Sequence, residues 1–272
     1  MSKNRKRCIF CGEFGLSKEH IFSKWTYALV PNSPTDTHAR GHFTSSRGSP
    51  GVIENREIKH YQGNVNTIRL RVVCKTCNNG WMSRQDNEIK STLSALILCK
   101  AVSLNEAEQL KLATWITMKA MVAEQSRPDD AASIQGERSL LMADLRPPPS
   151  WQIWVARQTG ITWRVAYQRR ASTLGYLDGQ GITQSPDGTL AKNTQSITIG
   201  LGQLLLNVVS TRVPQLRFSF RDTTIGHAMH PIHPYNRDIS WPPSQILDGA
   251  QAELVATAFD RYTDTLKWRE GA

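Results

Sequence analysis

The sequence has no apolar run long enough to cross a membrane. Its longest unbroken apolar stretch covers residues 95–99 and stops at Lys100, whereas a membrane-spanning helix needs about 20 apolar residues. The amino terminus has the positive charge of a signal peptide but not its apolar core, because Cys11-Gly12 interrupts the first two apolar residues. We therefore expect a cytoplasmic protein that contacts no membrane.

Cysteine is also scarce, with five residues in a chain of 272. In a reducing cytoplasm so few thiols are a poor basis for a disulfide framework, and Cys-x-x-Cys spacing points to metal instead. Two such pairs are present, Cys8 with Cys11 and Cys74 with Cys77, and Cys99 is left over in an apolar run. Four thiolates arranged in this way can share one tetrahedral zinc ion. We predict a structural Zn²⁺; two unrelated pairs of ordinary cysteines are the alternative.

Acidic residues are too few to balance the basic ones, and the formal net charge is +10. The surplus is concentrated near the amino terminus, where residues 1–90 contain 15 Lys and Arg against 7 Asp and Glu. A polyanion such as nucleic acid is the natural partner of such a segment. A solvated basic surface without a partner explains the charge equally well.

Apolar periodicity predicts helices in the middle of the chain. Residues 83–99 have apolar side chains at three- and four-residue spacings, which is typical of a helix with one buried face. Ser103 and Glu106 have the spacing of a capping box before a second helix, so we expect a helical hairpin. Before these helices, residues 31–63 are rich in turn-forming residues and predict a long loop, and residues 67–73 alternate as a strand does.

The run Arg146-Pro147-Pro148-Pro149-Ser150 cannot continue a helix, and we place a domain boundary there. Beyond it the pattern is that of short strands separated by turns, closed by a terminal helix. The predicted strands cover residues 151–155, 162–167, 195–201, 204–209 and 216–220, and the helix covers residues 250–268.

A shared zinc ion would bring Glu19 and His20 close to Asn78 and Asn79, which follow the second cysteine pair directly. These residues offer a carboxylate, an imidazole and two amides. A hard oxygen ligand, a base of suitable pKa and a neutral oxygen ligand suit the hydrolysis of a phosphodiester. For Glu19 and His20 alone, an ordinary surface pair is the alternative.

The same motifs carry a resemblance to a known family. Cys8-x-x-Cys11, the segment Leu16-Ser-Lys-Glu-His-Ile-Phe22 and the segment Cys74-x-x-Cys-Asn-Asn-Gly-Trp-Met82 resemble the HNH, or ββα-metal, nucleases. The likeness covers about residues 8–90. Ser23 stands where related sequences usually have proline, and the middle Asn of the HNH signature has no clear counterpart.

The resemblance implies a role for each motif residue. His20 would be the general base that activates water, and Glu19 would bind a divalent cation, Mg²⁺ by preference, together with Asn78 or Asn79. Arg84, early in the following helix, would hold a phosphate oxygen, unless it is only an exposed helical arginine.

The expected fold class is accordingly α+β: a zinc-knuckle ββα-metal module with a helical hairpin, then a mostly antiparallel β region with a terminal helix. The expected domains are an HNH-like nuclease module (1–90), the helical hairpin and connector (91–146) and a β-rich domain (150–272). The expected function is that of a metal-dependent endonuclease. Its expected substrate is nucleic acid, and we expect DNA, although the sequence does not distinguish DNA from RNA. Two alternatives remain open: a zinc-dependent nucleic-acid-binding module without cleavage, and an interaction protein in which zinc only stabilises the fold.

Overall fold

The computed structural model describes residues 6–30, 37–45, 53–62, 65–173, 191–213 and 216–267. Helices are mixed with antiparallel sheets, as predicted. The strands are β1 (Leu16–His20), β2 (Thr37–Ser45), β3 (Ile53–Gln62), β4 (Arg69–Cys74), β5 (Val102–Leu104), β6 (Trp151–Arg157), β7 (Val165–Ser172), β8 (Thr194–Leu201), β9 (Leu204–Thr211), β10 (His230–His233) and β11 (Ile239–Trp241). The helices are α1 (Lys75–Cys77), α2 (Ser83–Ile97), α3 (Glu106–Ala123), α4 (Gln135–Asp144) and α5 (Gly249–Lys267).

Strands β1 and β4 form an antiparallel pair that leads directly into helical structure. Residue by residue, Leu16 lies opposite Cys74 and His20 lies opposite Arg69, with a bulge in between. After β4 the chain continues through α1 and a π-helical turn, Asn78–Met82, into α2. Gly80 breaks the helical backbone within this turn, and the next two side chains are buried. The start of the helix is therefore packed against the strand pair.

The segment between β1 and β4 is not the long loop that its composition predicts. Strands β2 and β3 pair along their length as a two-stranded antiparallel ribbon. Turn-forming composition was a poor guide here because two strands can pair through their backbones whatever their composition. The other parts of the predicted loop, residues 31–36, 46–52 and 63–64, lie outside the described residues, as do residues 1–5 of the basic amino-terminal arm.

Helices α2 and α3 pack against each other, as the hairpin prediction requires. The cap of α3 differs from the prediction, because Asn105 and not Ser103 precedes the helix and its side-chain oxygen accepts a hydrogen bond from Glu108 N at 3.0 Å. Most of α3 is buried on all sides, which is the property of a helix at the centre of a fold. None of the described helices is long and apolar enough to span a bilayer.

A five-stranded antiparallel sheet of order β10-β6-β9-β8-β7 forms the middle layer of the second half. Alternate residues of β6 point to different cores: Ile153 belongs to the cluster around α3, and Trp154 belongs to a second cluster beneath α5. Two predicted strands need correction. Ile161–Trp163 is a 3₁₀ turn, so that β7 begins only at Val165, and residues 216–220 are irregular although Phe218 and Phe220 are buried.

The larger hydrophobic cluster contains residues from all three predicted segments. Phe22 and Met82 come from the first, Trp115 from the second, and Trp151 and Ile199 from the third. The cysteine-bearing module therefore packs onto the helices and through them onto the sheet.

Candidate metal centre and the surroundings of His20

The four cysteines of the two Cys-x-x-Cys pairs come together in the structure. The sulfur atoms of Cys8, Cys11, Cys74 and Cys77 all lie within 4.8 Å of one another. The Sγ atoms of Cys11 and Cys74, 63 positions apart in sequence, are separated by 3.5 Å. Thiolates bound at ~2.3 Å to a tetrahedral zinc lie about 3.8 Å from one another. The cluster can hold a metal ion such as zinc.

Backbone hydrogen bonds bring the two cysteine turns together. Cys8 N donates to Glu13 O at 2.8 Å and closes the first turn, while Ile9 N donates to Val72 O at 3.0 Å and attaches that turn to β4. Lys75 N donates to Gly15 O at 3.2 Å on the other side. The sulfur atoms therefore approach each other because two backbone segments are paired around them.

The four thiols lie close enough together to change each other's pKa. Burial raises the pKa of Cys11 and Cys77. Burial also acts upward on Cys74, but hydrogen bonds from the Cys77 backbone N–H and from neighbouring thiols outweigh it and leave the pKa of Cys74 below its ordinary value. A zinc ion, which is bound by thiolates, would replace the protons of the buried set.

Glu19 lies in a buried ion pair next to this centre. Its Oε1 accepts a hydrogen bond from Lys119 Nζ at 2.7 Å, and the two side chains are only 8% and 1% exposed. Burial by itself lowers the pKa of Lys119, but the carboxylates of Glu19 and Asp86 more than offset this effect and leave the pKa above its ordinary value. Lys119 is therefore a charged ammonium group in the interior.

Asp86 of α2 provides a second carboxylate for Lys119. Its Oδ2 lies 3.5 Å from Lys119 Nζ. Its Oδ1 accepts hydrogen bonds from Trp115 Nε1 at 2.7 Å and from Ser23 Oγ. One cation thus joins carboxylates from β1 and α2, and buried charges of this kind persist only when they are paired and hydrogen-bonded.

His20 points away from this ion pair. Adjacent residues of a strand face opposite sides, and in the β1–β4 pair Glu19 lies opposite partly buried Leu70 while His20 lies opposite exposed Arg69. Burial lowers the pKa of His20, opposed in part by the charge of Glu19. The imidazole also lies edge-on to Tyr27, with ring centroids 6.0 Å apart, and Tyr27 Oη has no hydrogen-bond partner among the described residues. His20 is therefore a neutral, half-buried base near pH 7.

The amide of Asn78 reaches β1, whereas the other predicted site residues of the helix do not. Asn78 Nδ2 donates to Ser17 Oγ at 3.0 Å and lies 3.5 Å from Lys18 O. Asn79 and Arg84 are exposed, and neither side chain makes a hydrogen bond or ion pair with a described residue.

Sequence reasoning missed Lys119, which pairs with Glu19, and Asp86, which pairs with the same Lys119. A signal for Lys119 was present, because it is the single charged residue in the apolar stretch Trp115 to Ala123. A lysine in such a run is buried with its helix and needs a carboxylate partner. The identity of that partner could not be read from the sequence, because Glu19 is 100 positions away.

Among the described residues, the four cysteines are the one group of three or more His, Cys, Asp or Glu side chains close enough to share an ion. Glu19 and His20 do not belong to such a group in the described part of the chain, so a cation held by Glu19 would also depend on amide, water or phosphate oxygens. Comparisons with known proteins found no family model, no curated protein and no solved structure that matches the chain.

Proposed function

We propose that the protein is a metal-dependent endonuclease of the HNH type that hydrolyses phosphodiester bonds of nucleic acid. The observation that carries the proposal is the arrangement of two antiparallel strands and a helix around the cysteine cluster, with Asn78 hydrogen-bonded to the strand that contains Glu19 and His20. The paired strands β1 and β4, separated in the chain by the β2–β3 ribbon, lead into helical structure. This arrangement supports the proposal of a ββα-metal module.

His20 is the general base of the proposed reaction. Its lowered pKa keeps the imidazole neutral near pH 7, so that it can accept a proton from the water that attacks phosphorus. Arg69, directly opposite on β4, provides a cation for a non-bridging phosphate oxygen. The leaving oxygen departs with the electrons of the broken P–O bond.

A divalent cation, held by Glu19 with Asn78 or Asn79, would stabilise the charge that develops on the phosphate. The Oε1 atom of Glu19 is already occupied by Lys119, so Oε2 is the atom left for a cation. Carboxylate and amide oxygens are suitable Mg²⁺ ligands.

One observation favours a second candidate, a zinc-stabilised module that binds nucleic acid without cutting it. The carboxylate of Glu19 faces a buried ammonium group and His20 faces the opposite side of the strand pair. In this alternative Glu19 stabilises the core through its ion pair with Lys119, and His20 is only part of the surface that binds nucleic acid.

A plasmid cleavage assay with Mg²⁺ or Mn²⁺ tests the proposal. The His20→Ala variant should lose cleavage while it keeps its zinc content and thermal unfolding midpoint. His227→Ala is the matched control, because His227 is exposed and lies far from β1 in sequence; it should cut like the wild type. Cleavage that persists in His20→Ala, or a wild-type protein that binds DNA but never cuts it, would contradict the nuclease proposal.

A further inference from the structure

We propose that the outward face of the β1–β4 pair, continued by a hollow beside Phe14, binds an unpaired nucleic-acid strand. Its phosphates lie on the cations of this face and one of its bases lies against Phe14. The inference rests on the proposed function in one respect, since the bound strand would also pass beside His20, the proposed general base. We call this surface, formed by Lys6, Arg7, Phe14, Lys18, Arg69 and Arg71, the strand-binding face.

The register of β1 and β4 collects basic side chains on one side. Lys18 lies opposite Arg71 and His20 lies opposite Arg69, and side chains directly opposite one another in an antiparallel pair share a face. Lys18, Arg69 and Arg71 are all exposed, whereas the other side of β1 turns Glu19 into the core. The outer side therefore carries three cations, Lys18, Arg69 and Arg71, beside the imidazole of His20.

No carboxylate neutralises these cations within the described part of the chain. Lys18, Arg69 and Arg71 form no ion pair with a described residue. Like charges directly opposite each other in a sheet are destabilising, and two of these positions, Lys18 and Arg71, form such a pair. Glu13 is the one other acidic residue in residues 6–20 besides Glu19. A bound polyanion would turn this repulsion into attraction.

The hollow extends this face towards the cysteine cluster. It has a volume of about 510 Å³ and is lined by Lys6, Phe14, Gly15, Leu16 and Arg71. Arg71 belongs to both the hollow and the strand pair, so the two are continuous.

Phe14 gives the hollow its specificity. Its side chain is 46% exposed, and the Arg7 guanidinium lies 4.3 Å from the ring centroid. An aromatic ring beside cations is the arrangement on which proteins stack single-stranded bases. In a duplex the bases are already stacked on each other, so an exposed ring of this kind selects a strand that is unpaired.

Binding is measured by fluorescence anisotropy in the His20→Ala background, loaded with zinc and without Mg²⁺, so that nothing is cut. The probes are a labelled 20-nucleotide single-stranded DNA, the RNA of the same sequence and the corresponding DNA duplex. The single strands should bind more tightly than the duplex. Phe14→Ala should weaken single-strand binding by about fivefold or more and should leave duplex binding unchanged.

The charge contribution is tested by Lys18→Glu with Arg71→Glu. This variant should lose at least tenfold in affinity, and the slope of log K against log salt should fall by about 1.4 for two lost phosphate contacts. Lys100→Glu with Arg221→Glu is the matched control, since both residues are exposed and the net charge changes equally. Its affinity should stay within about threefold of the background, because only long-range charge effects, which salt screens, act on it. If the double reversal does not fold, Lys18→Gln with Arg71→Gln is used in its place.

Equal losses of affinity in the two double variants would overturn the strand-binding face. So would duplex binding that exceeds single-strand binding. Heparin serves as a polyanion without bases, and an affinity for heparin equal to that for the single strands would also overturn it. Failure of the nuclease proposal has a different signature. Phe14- and Arg71-dependent binding by a wild-type protein that never cuts disproves only the nuclease, whereas cutting of nucleic acid with binding insensitive to these residues disproves only the face.

Discussion

Lys119 Nζ lies 2.7 Å from Glu19 Oε1 in the interior of the protein, and the pair joins α3 to β1 across 100 positions of the chain. Asp86 adds a carboxylate from α2 on the other side of the same cation. Three elements of the first half are therefore tied together through one fully buried ammonium group, with the Glu19 carboxylate buried beside it and the Asp86 carboxylate partly exposed.

Removal of the ammonium group should destabilise the fold strongly. Lys119→Met leaves the Glu19 carboxylate buried without its cation, and loss of one partner of a buried pair costs about 3–5 kcal/mol. The free energy of unfolding from urea denaturation measures the change. Lys111→Met is the matched control, because its pair with Glu108 on the surface of α3 has the lysine 42% exposed; such pairs contribute about 0–1 kcal/mol. Similar losses in both variants would show that the buried pair is no stronger than the surface one.

The cysteine cluster should bind one zinc ion per chain, measured by elemental analysis of the purified protein. Cys74→Ser should lose the metal and much of the stability, because one thiolate ligand is gone and folding is coupled to binding. Cys99→Ser should keep the metal, since Cys99 is not a member of the cluster. Full zinc content in Cys74→Ser, or equal loss in both variants, would contradict a four-sulfur site.

Acid should destabilise the protein through His230 and His233 of β10. Burial lowers the pKa of both imidazoles below their ordinary value of 6.5. The unfolded chain therefore binds protons that the folded chain does not, so stability is complete above about pH 7 and falls as the pH drops towards 5.

Denaturant titrations between pH 5 and 8 measure this dependence. The variant with His230→Gln and His233→Gln should show a shallower loss over the same range, because any effect of acid on the cysteine cluster is common to both proteins. An unchanged slope would exclude these two histidines as its source.

Gly200 should not tolerate a side chain. A Cβ at this position of β8 would lie 1.9 Å from the carbonyl oxygen of Trp163. Because that oxygen belongs to the backbone, the main chain itself must shift to make room. We expect Gly200→Ala to lower the thermal unfolding midpoint by several degrees, since a loss of about 1 kcal/mol shifts the midpoint by roughly 2–4 °C in a protein of this size.

Gly136→Ala is the control for this prediction. Gly136 lies in α4, where the nearest atom to an added Cβ is the end of the Ile134 side chain at 4.0 Å. Alanine is the better helix former by about 1 kcal/mol, so this variant should be as stable as the wild type or more stable. A stable Gly200→Ala protein would mean that the 3₁₀ turn at Trp163 moves freely.

Much of the local structure follows from patterns within a few residues. The periodicity of residues 83–99 predicted α2, and short strand-like runs separated by turns predicted β8 and β9 to within two residues. The β2–β3 ribbon escaped prediction because the strands are defined by backbone pairing with each other, which their turn-forming composition does not reveal. Residues 216–220 were predicted to form a strand, but they are irregular, since their buried aromatic side chains pack without strand pairing.

The sequence by itself determined the cysteine cluster, because metal-binding thiols need a spacing that is visible in the chain and few other cysteines compete for them. The environment of Glu19 was decided only by the tertiary structure. Its partner Lys119 is contributed by a helix that the fold packs beneath β1, and local sequence does not encode which distant charges meet. The opposite orientation of Glu19 and His20 has the same origin, since burial of one face of β1 assigns alternate side chains to the core and to solvent.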